Sequence, residues 1–438
     1  MHESGSFNNH RTILDLIVSS ETHIKVGGLA VIYISYDGML EPLGQSQVVA
    51  YLEQLARDWP VYLISFEKER DRKDDKRMAA MHARLQAVGI AWTPLAYHKA
   101  PSAAATAYDI AVGAATALSI LIRHKVRIIH ARSYVSAMIA LGVKRASGAK
   151  FLFDMRGLWA DERVDAGLWV KEGALYKAGK AMERRFLETA DHVVTLTHAS
   201  AREIDRFPYL QGRMPPITVI PCCADLDRFR PTGASASFTL GYVGAVGLGH
   251  MFEEALTFYR AVRLRRTDAR FLIVNRNEHD TILAALDRAG IESDRVDLVT
   301  SEHRDVPGLV QAMTAAVALY KPQYSAVARS PTKLAEYLGC GVPCVGNAQV
   351  GDMEEIIEGE RVGVVLRDFS AAAHVAAADR LLALLDEPGT RQRCVATARR
   401  LFSLDVGVEA YRQIYDSLAG RLKSPCYVRC NQDDDPRK

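Results

Sequence analysis

Short β-branched apolar runs alternate with longer helical patterns along this chain, and the alternation runs twice. The first series places strands at Val31–Ser35, Val61–Phe66, Ile90–Leu95, Arg127–Ala131, Lys150–Asp154 and His192–Thr197. Helical patterns lie between them, among them Ser46–Arg57, Asp71–Val88, Ala104–His124 and Leu175–Ala190. Strands that are apolar throughout are buried on both faces, so the pattern predicts parallel sheets covered by helices on each side. The segment T-V-I-P-C-C-A-D-L-D-R-F-R-P (Thr218–Pro231) interrupts the series with two prolines, and the alternation then restarts. The second series runs Phe238–Val243, Phe271–Val274, Val296–Val299, Ala315–Tyr320, Pro343–Gly346 and Gly363–Arg367, followed by helical patterns alone. A length of 438 residues suits two such units. The expected division is an N-terminal extension (1–26), a first doubly wound α/β domain (27–216), a hinge (217–236) and a second α/β domain (237–405). A terminal helix (406–422) that crosses back to the first domain and a disordered polar tail (423–438) complete it.

Charge and cysteine usage narrow the function classes. There are 55 basic and 52 acidic side chains, a net charge of +3, which argues against a nucleic-acid binder. The seven cysteines form no framework. Cys426 and Cys430 supply half a zinc ligand set without a nearby histidine, so reduced thiols in a cytosolic protein are expected. The polar start M-H-E-S-G-S-F-N-N-H-R-T and the short run Ile13–Val18, broken by Asp15, do not have the pattern of a secretion signal. Ala103–Ile122 reads as a buried helix, with a shallow membrane contact as the alternative. The mixed-sign run Lys68–Arg77 reads as a solvated helix.

Ligands of open α/β sheets bind at the carboxyl ends of strands, which makes two loops informative. G-Y-V-G-A-V-G-L-G-H (Gly241–His250) follows a strand and opens a helix, an arrangement that suits either a tight turn or phosphate binding. Its glycines do not have the G-x-G-x-x-G spacing of a dinucleotide site. In Y-S-A-V-A-R-S-P-T-K-L-A-E-Y-L-G-C-G-V-P-C-V (Tyr324–Val345), Pro331 fits a first helical turn with Ser330 as its cap. Lys333 then opposes the helix dipole unless an anion is present. Glu336 lies on nearly the same face, so the two form an ordinary ion pair or a diphosphate and ribose site.

With these segments, S-Y-D-G-M-L-E-P-L-G-Q-S-Q (Ser35–Gln47), F-D-M-R-G-L-W-A-D-E-R (Phe153–Arg163) and G-N-A-Q-V-G-D (Gly346–Asp352), the chain resembles a family-4 glycosyltransferase of the GT-B fold, in the branch found in bacterial polysaccharide clusters. The resemblance implies two Rossmann-like domains facing a cleft, with the acceptor on the first and a UDP- or GDP-linked sugar on the second. It implies no cofactor, no metal, and retention of anomeric configuration. The acceptor would be a glycan or lipid-linked oligosaccharide, met in the cytoplasm or at the inner membrane face, in exopolysaccharide, capsule or O-antigen synthesis.

Residue by residue, the resemblance makes Lys333 the partner of the donor diphosphate. Glu336, the second glutamate of an E-x7-E signature, becomes the ribose ligand. Gly244 and Gly247 approach the phosphates, with Arg329, Ser330, Thr332, Gly44 and Gln45 around the donor. Asp154 and Arg156 end a strand near the donor sugar, and the pair Asp161–Glu162 reads as acceptor ligand or solvated charge. Two positions depart from the family: Ala328 replaces the first glutamate of the signature and Ala245 replaces a basic residue, with His250 expected to stand in for a second. A weakly catalytic sugar-nucleotide-binding module and a sugar-nucleotide epimerase on the same fold are the alternatives.

Overall fold

The computed structural model describes residues 29–421 except 101, 234–236, 248 and 303. The N-terminal extension, the polar tail and the pair Cys426 and Cys430 lie outside the described residues. Seven strands form the first sheet: β1 (Ala30–Ser35), β2 (Val61–Glu67), β3 (Ile90–Ala96), β4 (Val126–Arg132), β5 (Lys150–Asp154), β6 (His192–Thr195) and β7 (Ile217–Val219). Their order is β3-β2-β1-β4-β5-β6-β7, all parallel. The second sheet has six: β8 (Thr239–Val243), β9 (Arg270–Val274), β10 (Val296–Val299), β11 (Ala315–Val317), β12 (Cys344–Asn347) and β13 (Gly363–Leu366). Its order is β10-β9-β8-β11-β12-β13, again all parallel. In each sheet the order reverses beside the first strand, so β1/β4 and β8/β11 mark the switch points where ligands of such sheets bind. The two sheets and their covering helices are the Rossmann-like pair of the GT-B fold.

Ile217–Val219 stands inside the expected hinge, yet it pairs with β6 as the edge strand of the first sheet. Three apolar-to-threonine residues bounded by proline were too short to register as a strand. The terminal helix, Leu404–Leu418, buries Val408, Tyr411, Ile414 and Tyr415 among Tyr33, Leu52, Trp59 and Leu63 of the first domain. Burying side chains of this size is worth about 1.5–3 kcal/mol each, enough to tie the chain's end to the domain it began with.

The apolar stretch at 103–122 forms the helix Ser102–Arg123, not fully buried as expected. Ala105, Asp109, Gly113, Thr116 and Ala117 face inward, while Tyr108 and Ile122 are exposed. It is the one helix among the described residues long and apolar enough to cross a membrane. In the charged run at 68–77, Lys73 pairs with Glu69 and Arg77 with Asp71, while Lys68 reaches out to Glu41.

Candidate functional site

The glycine loop after β8 and the start of the Thr332–Gly339 helix meet around two tyrosine rings. Lys333 Nζ lies 4.8 Å from the Tyr242 ring centroid and 5.5 Å from that of Tyr320. The side chain is half-buried, with its Nζ out of contact with water and without a hydrogen-bond partner. Burial pulls its pKa down to about 8, with Glu336 and Cys344 opposing that fall and Arg329 adding to it. Gly244 has φ +108°, and a Cβ there would stand 3.3 Å from Lys333 Nζ, so the loop backbone passes directly over the cation. Asn275 and Glu278, after β9, hold the loop. Asn275 Nδ2 donates to Gly244 O (3.0 Å), and Glu278 Oε2 accepts from Val246 N–H (3.0 Å).

Arg329 packs over Tyr320 at 5.1 Å and donates to Gly249 O at 3.3 Å. The expected second basic residue, His250, brings no charge at neutral pH. Its Nδ1 lies 2.8 Å from Gly247 O, and burial beside Lys333 drops its pKa to about 4. The helix begins at Thr332 with Pro331 at the cap position, not with Ser330 as cap. The Ser330 hydroxyl is engaged elsewhere, accepting Cys222 N–H at 3.1 Å.

The facing wall is built at the ends of β1, β4 and β5. Asp154 is 1% exposed and lies between two guanidiniums and an imidazole: Arg156 Nη1 at 3.7 Å, Arg132 Nη1 at 3.9 Å and His130 Nε2 at 3.6 Å, the imidazole's own pKa being lowered by burial. Tyr411 of the terminal helix donates to its Oδ2 at 3.1 Å. Burial alone would raise the Asp154 carboxyl, but Arg156, His130 and Arg132 outweigh it and hold it at about 2. So Asp154 is a fixed anion, and Arg156, 12% exposed, lies between it and the side chains of Gln47 and Cys222. Arg156 takes φ +58°, rare for a residue with a side chain, and its Nη2 lies 3.3 Å from Cys222 Sγ and 3.5 Å from Gln47 Oε1.

Gln47 sits in a π-helical turn, Gln45–Val49, and its Nε2 donates to Cys223 O at 2.9 Å. Gly44 precedes that turn because no side chain fits: a Cβ would meet Gly38 O at 2.0 Å. Gln45 and Glu336 line one cavity of about 370 Å³ with Gln47, Arg57, Arg84 and Asp225.

Several contacts join the walls. The Asp352 carboxylate accepts His198 N–H (2.7 Å) and Ala199 N–H (2.9 Å) at the start of the His198–Asp205 helix. Ser325 N–H donates to Asp165 Oδ2 at 2.9 Å, and Thr197 Oγ1 donates to Val327 O at 2.6 Å. These contacts turn Ala328 into the apolar core of the first domain, where it is 3% exposed. The position matched to the first glutamate of the signature therefore serves packing between domains and not the cleft. Of the acidic pair, Asp161 is engaged by Tyr176 and Lys180 at 3.0 Å each. Glu162 faces Arg329; confinement raises its carboxyl, and Arg329 opposes that rise.

The structure thus brings Lys333, Arg329, Gly244 and His250 to one wall, links Ser330 to the Arg156 side through Cys222, and places Gln45 with Glu336. Gly247 and Thr332 lie at the margin of the same loop and helix start. Tyr242, Tyr320, Asn275, Glu278 and Asp352 were not singled out from sequence. The polar cluster N-R-N-E-H directly after β9 is the signal that would have found Asn275 and Glu278. Among the described residues, no three His, Cys, Asp or Glu side chains group as metal ligands.

A family profile described as "Glycosyl transferase 4-like domain" matches residues 45–223, and one described as "Glycosyl transferases group 1" matches residues 237–384. No curated protein matches the chain. Among solved structures it is similar to sucrose-phosphate synthase from Thermosynechococcus elongatus, with TM-score 0.67 and 14% identity over 90% of this chain and 100% of that one. It is also similar to a glycosyltransferase from Rickettsia africae, with TM-score 0.66 and 13% identity over 90% and 99%. Anabaena HepE in complex with UDP and glucose follows, with TM-score 0.62 and 13% identity over 89% and 100%. At these identities the likeness is one of fold.

Proposed function

On the premise that the chain belongs to the GT-B glycosyltransferase superfamily, we propose that it is a retaining enzyme moving a sugar from a nucleoside-diphosphate donor to a glycan or lipid-linked oligosaccharide. The setting proposed is bacterial surface-polysaccharide synthesis at the cytoplasmic face of the membrane. The observation that carries the reading is Lys333: a cation whose Nζ is buried without a hydrogen-bond partner under a glycine loop at a helix start. Such a group is costly unless an anion arrives, and a diphosphate supplies one.

In this reading the departing diphosphate is stabilised by Lys333, Arg329 and the first N–H groups of the Thr332–Gly339 helix, all in place before reaction. Glu336 binds the ribose. Arg156, oriented by Asp154, meets the donor from the other wall. Front-face attack by the acceptor hydroxyl needs no separate base, which agrees with a wall whose carboxylate is permanently ionised behind an arginine.

Thermal shift with UDP-, GDP- and ADP-sugars tests the reading, since a ligand of the folded state raises apparent stability. One donor class should stabilise the chain and lose that effect in Lys333→Met; no shift with any donor overturns it. The neutral His250 and the inward Ala328 favour a second reading, a binding module without turnover. That reading expects donor binding and no product with any acceptor.

A further inference from the structure

The carboxyl edge of the first sheet carries a second polar cluster, at the ends of β1 and β3, that neither wall of the cleft uses. Its centre is Asp109 on the Ser102–Arg123 helix, 1% exposed. Three donors reach that carboxylate. The Tyr36 hydroxyl lies 2.7 Å and the His98 backbone N–H 3.1 Å from Oδ2, while His98 Nδ1 lies 2.6 Å from Oδ1. Among the described residues His98 is its one ion-pair partner. Burial and Asp109 hold the Tyr36 hydroxyl well above the usual phenol range, so it stays a donor. An ionised carboxylate only accepts, so a proton of the His98 ring sits on Nδ1 and Nε2 is left over.

A histidine that only braced its loop would be buried with its partner. The His98 side chain is instead 45% exposed above a carboxylate that is not. Tyr108, 56% exposed, meets the imidazole edge-on with centroids 5.2 Å apart. Tyr36 is edge-on to Tyr97 at 5.4 Å and tilted against Phe66 at 4.9 Å, which fixes the aromatic floor. A directed nitrogen beside an exposed aromatic ring is the chemistry that recognises a sugar: ring C–H groups pack on the aromatic face while a hydroxyl bonds to the fixed nitrogen. An anion would need more than the exposed Lys99 that follows in the loop, because an imidazolium at His98 is already matched by Asp109.

The cluster shares a rim with Arg156. Asp37, next to Tyr36, accepts from Arg132 Nε at 3.3 Å, and Arg132 flanks Asp154. His98 follows β3, two strands from β1, which puts it roughly 10 Å along that rim, where it would hold a ring other than the reacting one. We propose that His98 and Tyr108, with the imidazole oriented by Asp109, form a site for a neutral sugar ring and so select the acceptor by a unit remote from the transfer. The purpose rests on the sugar-transfer reading, but the binding is measured without any donor.

Full-length protein is titrated with the methyl α-glycosides of glucose, galactose, mannose and rhamnose, read by saturation transfer from protein to sugar. At least one should bind. His98→Ala and Tyr108→Ala should each weaken it about tenfold, the loss of one good contact, at an unchanged unfolding midpoint. Asp109→Asn tests the orienting role through the ring ¹⁵N shifts of His98. The asparagine oxygen is claimed by Tyr36 and the His98 backbone, so its amide nitrogen faces Nδ1, and the ring proton should move to Nε2 as sugar binding falls. No binding of any of the four glycosides overturns the site, as does binding that both alanine variants leave intact. A proton that stays on Nδ1 in Asp109→Asn overturns the orienting role. A wild-type chain that binds a glycoside but shows no donor-induced thermal shift would fail the sugar-transfer reading and leave the sugar site standing.

Discussion

Each wall of the cleft holds a half-buried cation, and the two are built in opposite ways. Arg156 comes with its counter-charge: Asp154 lies behind it, fully buried, tied also to His130, Arg132 and Tyr411. Lys333 comes with none within hydrogen-bond reach, only the faces of Tyr242 and Tyr320. A buried charge held by partners is a fixed part of the scaffold, whereas one held by ring faces waits for a ligand. On the sugar-transfer reading, the first wall orients the donor and the second binds it.

The largest effect expected is on the scaffold side. Asp154→Ala would leave the Arg156 and Arg132 guanidiniums buried without their shared anion, at a cost of about 3–5 kcal/mol in urea unfolding. A variant as stable as the wild type would show that Arg156 does not depend on Asp154 and would erase the contrast. Lys333→Met sharpens it from the other side. Donor affinity should fall about 100-fold, equivalent to about 2.7 kcal/mol, while stability holds or rises because an unpaired buried charge has been removed. Calorimetric titration with the donor and thermal unfolding of the same sample read both halves.

The walls should also differ in pH response. Lys333, held near pKa 8 by burial, loses its proton as pH rises through 8, so donor affinity should fall up to tenfold per pH unit above that value. The bound diphosphate favours the ammonium, so binding near pH 8–9 should take up a proton, visible as a dependence of the calorimetric heat on buffer ionisation. Stability of the free chain runs the other way. Because the unfolded lysine titrates near 10.5, the unfolded state binds more protons between pH 8 and 10.5, and stability rises across that window. Asp154, held at about 2 against 3.8 when unfolded, gives no response above about pH 5, and its contribution to stability is lost as pH falls below that. Donor affinity that is flat from pH 7 to 10 would remove Lys333 from the binding site.

Much of this contrast was legible in the chain, because both sheets announce themselves as apolar β-branched runs and the cleft follows from their order. Lys333 stood out for a local reason: a cation in the first turn of a helix is unfavourable unless something compensates it. The rest depends on contacts distant in sequence. The resemblance implies a place beside the donor sugar for Asp154 at its strand end, yet Tyr411, from 257 positions further on, comes to stand behind it. His250 was expected to be cationic from its place in the loop, and burial beside Lys333 removes that charge. Ala328 was counted as a lost ligand, but the contacts of its segment with the first domain turn it away from the cleft.

The smallest predicted effect tests whether the walls act independently. Asp352 belongs to neither, yet its carboxylate caps the His198–Asp205 helix of the first domain from the second. It is 8% exposed, so its hydrogen bonds are little diluted by water. Asp352→Ala removes a cap and an anion from a helix start, worth about 1 kcal/mol. That loss should appear as a small drop in the unfolding midpoint. Neither Lys333 nor Arg156 loses a contact, so donor affinity should stay within about twofold of the wild type. Turnover, which needs both walls in register around donor and acceptor, should fall further than affinity does. An affinity loss as large as that of Lys333→Met would mean that the donor wall is assembled only when the first domain is latched to it, and the division into an orienting wall and a binding wall would fail.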